Sequence, residues 1–424
     1  MITEISNISN GLTVITDPMA NLESAALGVW VDTGSRDELP QEMGISHMLE
    51  HMAFKGTTSR SARQIAEEIE SVGGYLNAYT SREQTAFHAR VLKNDVPLAL
   101  DIIADILVRP TYEAGELERE RQVVLQELGQ ARDTPDDIVF DHLQSVIYQS
   151  QALGWPILGD EKTVAGFTPA ALRDYSARRY RAGAMTLVSS GAVEHQEIAR
   201  IAEEKFAGLR TGSGAPSSKA RYVGGEMRIE QDLEQVHIAY AFPGVAANDD
   251  DFYSAQLHAV VLGGGMSSRL FQEVREKRGL CYSIYAFTNN FQDGGFTGVY
   301  VGTGEKEAAE ISAVIAGEME ALSNAVGDAE LARAKAQLKS SLLMGLERPG
   351  SRAEQIAGQM FTFGRVQSIA EIVTQIEAVD AAAFKRFAAR VMASPAIAAI
   401  GPVKRLERHD VFAARFARTP EAAE

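Results

Sequence analysis

The sequence predicts an α+β protein of two duplicated lobes, each with helices packed on a mainly antiparallel sheet. Three observations carry that expectation. Short alternating strands are interleaved with amphipathic helices. The order of these elements occurs twice. Between the two series lies Arg210-Thr-Gly-Ser-Gly-Ala-Pro-Ser-Ser-Lys219, whose small and polar residues bury too little apolar surface to fix a structure, so it reads as a flexible linker.

In the first series an alternating strand covers Ala25 to Asp32, a helical pattern starts near Pro40 and a second helix covers Ala62 to Val72. A Gly-led strand and a long charged helix, Glu113 to Gln130, follow. The second series has an alternating strand from Gln235 to Phe242, helical pattern from Asp251, a helix from Arg269 to Lys277, a Gly-led strand at Leu280 and further helix. Glu116-Leu-Glu-Arg-Glu-Arg-Gln-Val matches Glu330-Leu-Ala-Arg-Ala-Lys-Ala-Gln-Leu at an offset of 214 residues, about half the chain. A parallel, doubly wound sheet is disfavoured because no glycine fingerprint follows a first strand. Gly263-Gly-Gly-Met has neither the Walker Lys-Ser/Thr nor the spaced glycines of a phosphate loop.

Composition narrows the function. At 424 residues, 45% apolar and 23% charged, the chain suits a soluble protein of two to four domains. No apolar run is long enough to span a bilayer, so no membrane partner is expected. The opening Met1-Ile-Thr-Glu-Ile-Ser-Asn resembles neither a secretory signal nor a transit peptide, which sets a cytoplasmic expectation. With 57 acidic against 41 basic residues the formal charge is −16, a poor balance for nucleic acid and a favourable one for cationic ligands. A single cysteine, Cys281, rules out an intrachain disulfide or a cysteine-rich metal site, so any metal must be held by histidine and carboxylate.

The segment Gly44-Ile-Ser-His47-Met-Leu-Glu50-His51-Met-Ala-Phe54-Lys-Gly56 meets that requirement. Pro40 and Gly56 bracket a helix, and Ile45, Met48, Leu49 and Met52 give it a side to bury. At about 100° per residue, His47 and His51 lie roughly 40° apart with Glu50 on the adjoining edge. Two imidazoles one turn apart suit zinc, and the neighbouring carboxylate can take a proton from water. A third ligand is sought on the Glu113–Gln130 helix, where Glu116, Glu120 and Glu127 share a stripe and Leu117, Val124 and Leu128 mark the buried side. Spacing does not choose among the three glutamates.

His47-Met-Leu-Glu-His51, Phe54-Lys-Gly-Thr, Gly73-Gly-Tyr-Leu-Asn77-Ala78-Tyr-Thr-Ser-Arg-Glu, Glu120-Arg-Gln-Val-Val-Leu-Gln-Glu127 and Arg275-Glu-Lys-Arg-Gly-Leu-Cys-Tyr282 together resemble the inverted-motif zinc peptidases of the pitrilysin and mitochondrial processing peptidase family, M16, in its short two-lobe branch. The resemblance implies one zinc per chain on His47, His51 and Glu127, Glu50 as general base and Glu120 as an outer acid. It implies an edge strand at Gly73 to Thr80 on which a peptide adds, with Asn77 and Ala78 holding its backbone. Arg275 and Tyr282 match a pair acting on the substrate carbonyl. Asp137 and Asp141 match positions that receive an arginine before the cut, although Asp136-Asp137 equally suits a helix cap. Phe54 matches a position lining the pocket after the cut.

Residues 1–212 are thus expected to form the catalytic lobe and 213–424 a homologous non-catalytic lobe that helps bind substrate. The second lobe has no His-x-x-Glu-His. Its solitary His258, on an apolar run, reads as a hydrogen-bonded core histidine. Two lobes are half of the four that enclose a chamber in the long members, so a homodimer is expected, or a heterodimer with an inactive homologue. The expected activity is endoproteolysis of oligopeptides or unfolded segments. The rival is a non-catalytic scaffold or partner subunit of a processing complex.

Overall fold

The computed structural model describes residues 3–417, so Met1 and Ile2 of the opening segment lie outside it. The strands are β1 (Glu4–Asn7), β2 (Thr13–Pro18), β3 (Ser24–Val31), β4 (Tyr75–Thr80), β5 (Thr85–Leu92), β6 (Met185–Gly191), β7 (Gly225–Glu230), β8 (Val236–Pro243), β9 (Cys281–Asn290), β10 (Gly295–Thr303) and β11 (Ala396–Gly401). They form two sheets, ordered β1-β2-β6-β3-β5-β4 and β7-β11-β8-β10-β9. In each sheet one pair is parallel, β2 with β6 and β7 with β11, and the other pairs are antiparallel. Without β1, the first sheet has the same order and strand directions as the second. That match, more than any stretch of shared residues, establishes the duplication and the two-lobed α+β fold.

The chain divides into two compact units, and neither is a continuous half of the sequence. The first comprises the residues up to Gln130, Trp155–Ser218 and Leu343–Val366; the second comprises Ala131–Gly154, Lys219–Leu342 and the residues from Gln367 onward. Each unit therefore takes one helix from the opposite half of the chain. In the first, the helix Pro349–Phe363 lays Ala353, Ile356 and Ala357 on Ile15, Trp30, Ala86 and Val188, one face of the first sheet. The other face, with Leu27, Val29, Phe87 and Ala89, is covered by Ile102, Ile103 and Ile106. The strands thus alternate between two cores, as the pleat requires. A buried ion pair adds to the apolar contact, since Arg352 donates to both carboxylate oxygens of Asp17 at 2.6 and 2.8 Å.

In the second unit the helix Pro135–Ile147 lays Val139, Leu143, Val146 and Ile147 on Ala239, Ala241, Ala398 and Ile400. Pro135 and Pro349 open the two exchanged helices at the same 214-residue offset that separates the matching glutamates.

Three local expectations change. The helix foreseen from Pro40 is a 3-10 turn, Pro40–Glu42, followed by a break, and regular helix starts at Ile45. Gly44 makes the break with φ +89°, and a Cβ there would meet Gly159 Cα and Leu158 O at 2.7 Å. The segment foreseen as Arg269 to Lys277 contains a π-helix, Phe271–Lys277. The linker has no regular structure yet is tied to the first unit, because its carbonyls accept from guanidinium groups. Arg179 donates to Ala215 O and Arg36 to Ser218 O, both at 2.8 Å, and Ser217 Oγ donates to Asp37 at 2.6 Å. No helix of the described residues is long and apolar enough to cross a membrane.

Candidate metal centre

Helix α1 (Ile45–Ala53) buries Ile45, Met48, Leu49 and Met52 and leaves His47, Glu50 and His51 on its half-buried side. Its first turn is held by Glu38, whose carboxylate accepts the Gly44 N–H at 2.7 Å and the Ser46 N–H at 2.9 Å. Burial pushes the Glu38 carboxyl up to about 8. The two histidine rings stand edge to face with centroids 4.6 Å apart.

The charged stripe belongs to the helix Ala114–Arg132, packed on α1 through Leu117, Val124 and Leu128. The structure separates its three glutamates. Glu116 pairs with Arg119, pointing elsewhere. Glu120 is buried, and its Oε2 accepts from His51 Nδ1 at 3.0 Å. Glu127 Oε2 lies 3.7 Å from His47 Nε2 and 3.5 Å from His51 Nε2. His47, His51 and Glu127 are the trio whose ligand atoms all fall within 4.8 Å of one another, among the described residues.

That geometry fits a cation. Burial pulls the His47 imidazole down to about 4, so it is neutral near pH 7, with a lone pair to give. The Glu127 Oε2 atom is buried without a hydrogen-bond partner, and the distances to both rings are too long for hydrogen bonds. Lone pairs facing one another without a proton between them repel, and a divalent ion relieves the repulsion. The His51 Nδ1–H, donating to Glu120, fixes the tautomer that turns Nε2 toward the trio.

Lys55, Thr80 and Glu38 were not singled out from the sequence. The Lys55 ammonium sits 2.8 Å from Glu120 Oε1, completing a Lys55–Glu120–His51 chain. Arg121, the next residue on the helix, pairs with Glu118 and donates to Phe167 O, so it does not compete for Glu120. Thr80, at the end of β4, donates to Glu50 Oε2 at 2.6 Å. Burial raises the Glu50 carboxyl above its ordinary value, while Thr80 and His51 pull it back and Glu127 pushes it up. The sequence signals for Lys55 are its place just beyond the end of α1 and its membership of the Phe54-Lys-Gly-Thr motif.

β4 is an edge strand. Asn77 is exposed, donates to Tyr75 Oη at 2.6 Å, and accepts the Ala78 N–H on its Oδ1 at 2.9 Å. Ala78 itself is buried beneath the sheet. Phe54 lines a cavity of about 260 Å³ with Ile65, Ile69 and Leu76, beside the same strand. The remaining expected residues are in the second unit. The Arg275 guanidinium lies 4.7 Å from the Phe271 ring centre and 5.2 Å from that of Tyr282, which is 78% exposed. Asp137 is in the first turn of the helix Pro135–Ile147 and Asp141 one turn on; the residue before that helix is Thr134, so Asp137 does not cap it.

Residues 13–161 match Insulinase (Peptidase family M16), and residues 166–338 match the Peptidase M16 inactive domain. The chain belongs to peptidase family M16. It is 40% identical to an uncharacterized zinc protease of Rickettsia felis over 89% of this chain and 92% of that one. It is 37% identical to a probable mitochondrial-processing peptidase subunit beta of Arabidopsis thaliana over 97% of this chain and 81% of that one. A protease from Helicobacter pylori shares the fold with a TM-score of 0.88 at 21% identity, over 95% and 99% of the two chains.

Proposed function

We propose that this chain is a zinc endopeptidase that hydrolyses oligopeptides or unfolded segments, with one zinc on His47, His51 and Glu127. The observation that carries the reading is the convergence of one ligand atom each from His47, His51 and Glu127, beside a carboxylate, Glu50, that Thr80 holds in place. Zinc bound there supplies a Lewis acid that lowers the pKa of water and polarises a carbonyl. Glu50, its affinity for protons raised by burial, takes the proton of the attacking water and returns it to the departing amine. Glu120, steadied by Lys55, keeps His51 in the ligating tautomer.

An extended peptide adds to the open edge of β4, where the Asn77 side chain now occupies the Ala78 N–H and must yield it. The apolar cavity at Phe54 takes a bulky side chain after the cut. The family resemblance assigns Arg275 and Tyr282 to the substrate carbonyl, and Asp137 and Asp141 to an arginine before the cut. The catalytic role expected of 1–212 falls to the first unit, and the binding role expected of 213–424 to the second, each with its exchanged helix. A cytoplasmic homodimer encloses the substrate and selects it by size.

Zinc analysis and cleavage of a quenched peptide test the core of this reading. Glu50→Gln is expected to keep zinc and lose cleavage by about 10²-fold or more. Glu127→Gln is expected to lose both. Metal and activity intact in both variants overturn the assignment. Sizing the active species checks the homodimer.

A further inference from the structure

A second and larger cavity, of about 600 Å³, opens in the first unit on the opposite face of the sheet, where the helix Pro349–Phe363 begins. Trp30, Tyr75 and His88 give it aromatic walls; Arg90, Arg348 and Glu354 give it charge. Nothing in the proposed hydrolysis uses it. It nevertheless reaches the substrate edge, because Tyr75 is the first residue of β4 and is 45% exposed.

The charges are not balanced within the cavity. Glu354 already accepts from Trp30 Nε1 at 3.1 Å and from the Tyr79 hydroxyl. The Arg90 guanidinium stacks 4.9 Å from the Tyr75 ring centre and makes no ion pair with a described residue, nor does Arg348. Burial pulls the His88 imidazole below its ordinary value, so it adds no charge near neutral pH. Two guanidiniums against one occupied carboxylate make this a cationic spot on a chain whose formal charge is −16. Guanidinium forks match carboxylates geometrically, and the aromatic walls suit the carbon atoms that carry one.

Position supplies the rest. Thr80, at the far end of β4, holds Glu50; Tyr75 stands five residues back, about 17 Å along an extended strand. Tyr75 pairs with Arg90 and Tyr79 with Ala86, so Tyr75 and Tyr79 share the face that the Pro349–Phe363 helix covers. A peptide strand added at this edge sends alternate side chains to that face. We infer that the cavity lined by Arg90 and Arg348 binds a carboxylate of the peptide about five residues from the scissile bond. The inference rests on the edge-strand reading of substrate binding. The carboxylate comes from an Asp or Glu side chain or from the peptide's own C-terminus, and both use the same chemistry.

Matched quenched peptides decide it. One pair carries Glu or Gln five residues from the cut, on each side in turn; another ends five residues after the cut as free acid or amide. Cleavage by the zinc-loaded protein is measured as kcat/KM. Binding to the Glu50→Gln protein is followed by anisotropy and by the emission of Trp30, which lines the cavity. The expected result is a preference of about fivefold or more for one carboxylate member, discounted for solvent exposure of the two arginines. In the Arg90→Gln/Arg348→Gln protein that ratio falls toward 1. The pair that shows the preference identifies the source. Equal use of acid and neutral members by the unaltered protein, or a preference that survives in the double variant, overturns the inference. Selective binding without any cleavage leaves the pocket standing and removes the peptidase reading; binding of no peptide removes both.

Discussion

The two sheets share an order, yet the helices that follow β3 and β8 do opposite things with histidine. In α1 the apolar residues face inward and His47 and His51 stay on the half-buried side, their nitrogens turned toward Glu127. In the helix Phe252–Gly263, His258 is fully buried between Phe384 and Phe387, and neither ring nitrogen has a hydrogen-bond partner. The expectation of a hydrogen-bonded core histidine is thus half right: the core is there, the bonds are not. A shared topology fixes where a helix lies, whereas the rotation of its apolar stripe decides whether a histidine becomes a ligand or a filler.

Direct removal of ligands is the strongest way to break this comparison. Glu127→Gln should abolish zinc binding, while His258→Phe should leave one zinc per chain, as read by metal analysis of the purified proteins. Retention of zinc by the former, or its loss from the latter, would contradict the contrast.

The exchanged helix Pro349–Phe363 is also pinned to its sheet by a buried ion pair, Arg352 with Asp17. Arg352→Met leaves the Asp17 carboxylate buried without its cation, with the Thr3 hydroxyl still donating to it, and denaturant titration should register a loss of about 3–5 kcal/mol. A smaller effect is expected from Lys55→Met, which leaves the ligands in place and loosens Glu120. Zinc affinity should fall by about 10- to 100-fold in a competition titration.

Two pH slopes of opposite sign give a further test. Burial pulls His258 from 6.5 to about 4. Its contribution to stability is complete above about 6.5 and is lost as the pH falls toward 4. Burial instead pushes Glu38 from 4.5 to about 8, so its neutral form is the one favoured by folding. That contribution is complete below 4.5 and is lost as the pH rises toward 8. Thermal melts should therefore lose part of their acid slope in His258→Phe and part of their alkaline slope in Glu38→Gln. Unchanged slopes would mean that these groups titrate alike in the folded and unfolded chain.

Much of this was legible in the sequence. The repeat was visible through the element order and the 214-residue offset, and the helix carrying His47, Glu50 and His51 through its apolar spacing. Periodicity could not choose Glu127 over Glu116 or Glu120, because all three occupy one stripe and only the crossing of two helices separates them. Nor could it reveal the helix exchange. The apolar face of Pro135–Ile147 announces that it will be covered, but nothing local says by which sheet. Lys55 and Thr80 act through partners 65 and 30 residues away, at Glu120 and Glu50 respectively, and such contacts leave no trace in spacing.

The helix exchange also sets a timetable. A ribosome that has delivered the first six strands has delivered no cover for Ile15, Trp30, Ala86 and Val188, because that cover begins at Pro349. At about 5–20 residues per second, the interval is on the order of ten to thirty seconds. For that time the nascent lobe presents a bare apolar surface, the kind that chaperones hold and neighbouring chains stick to.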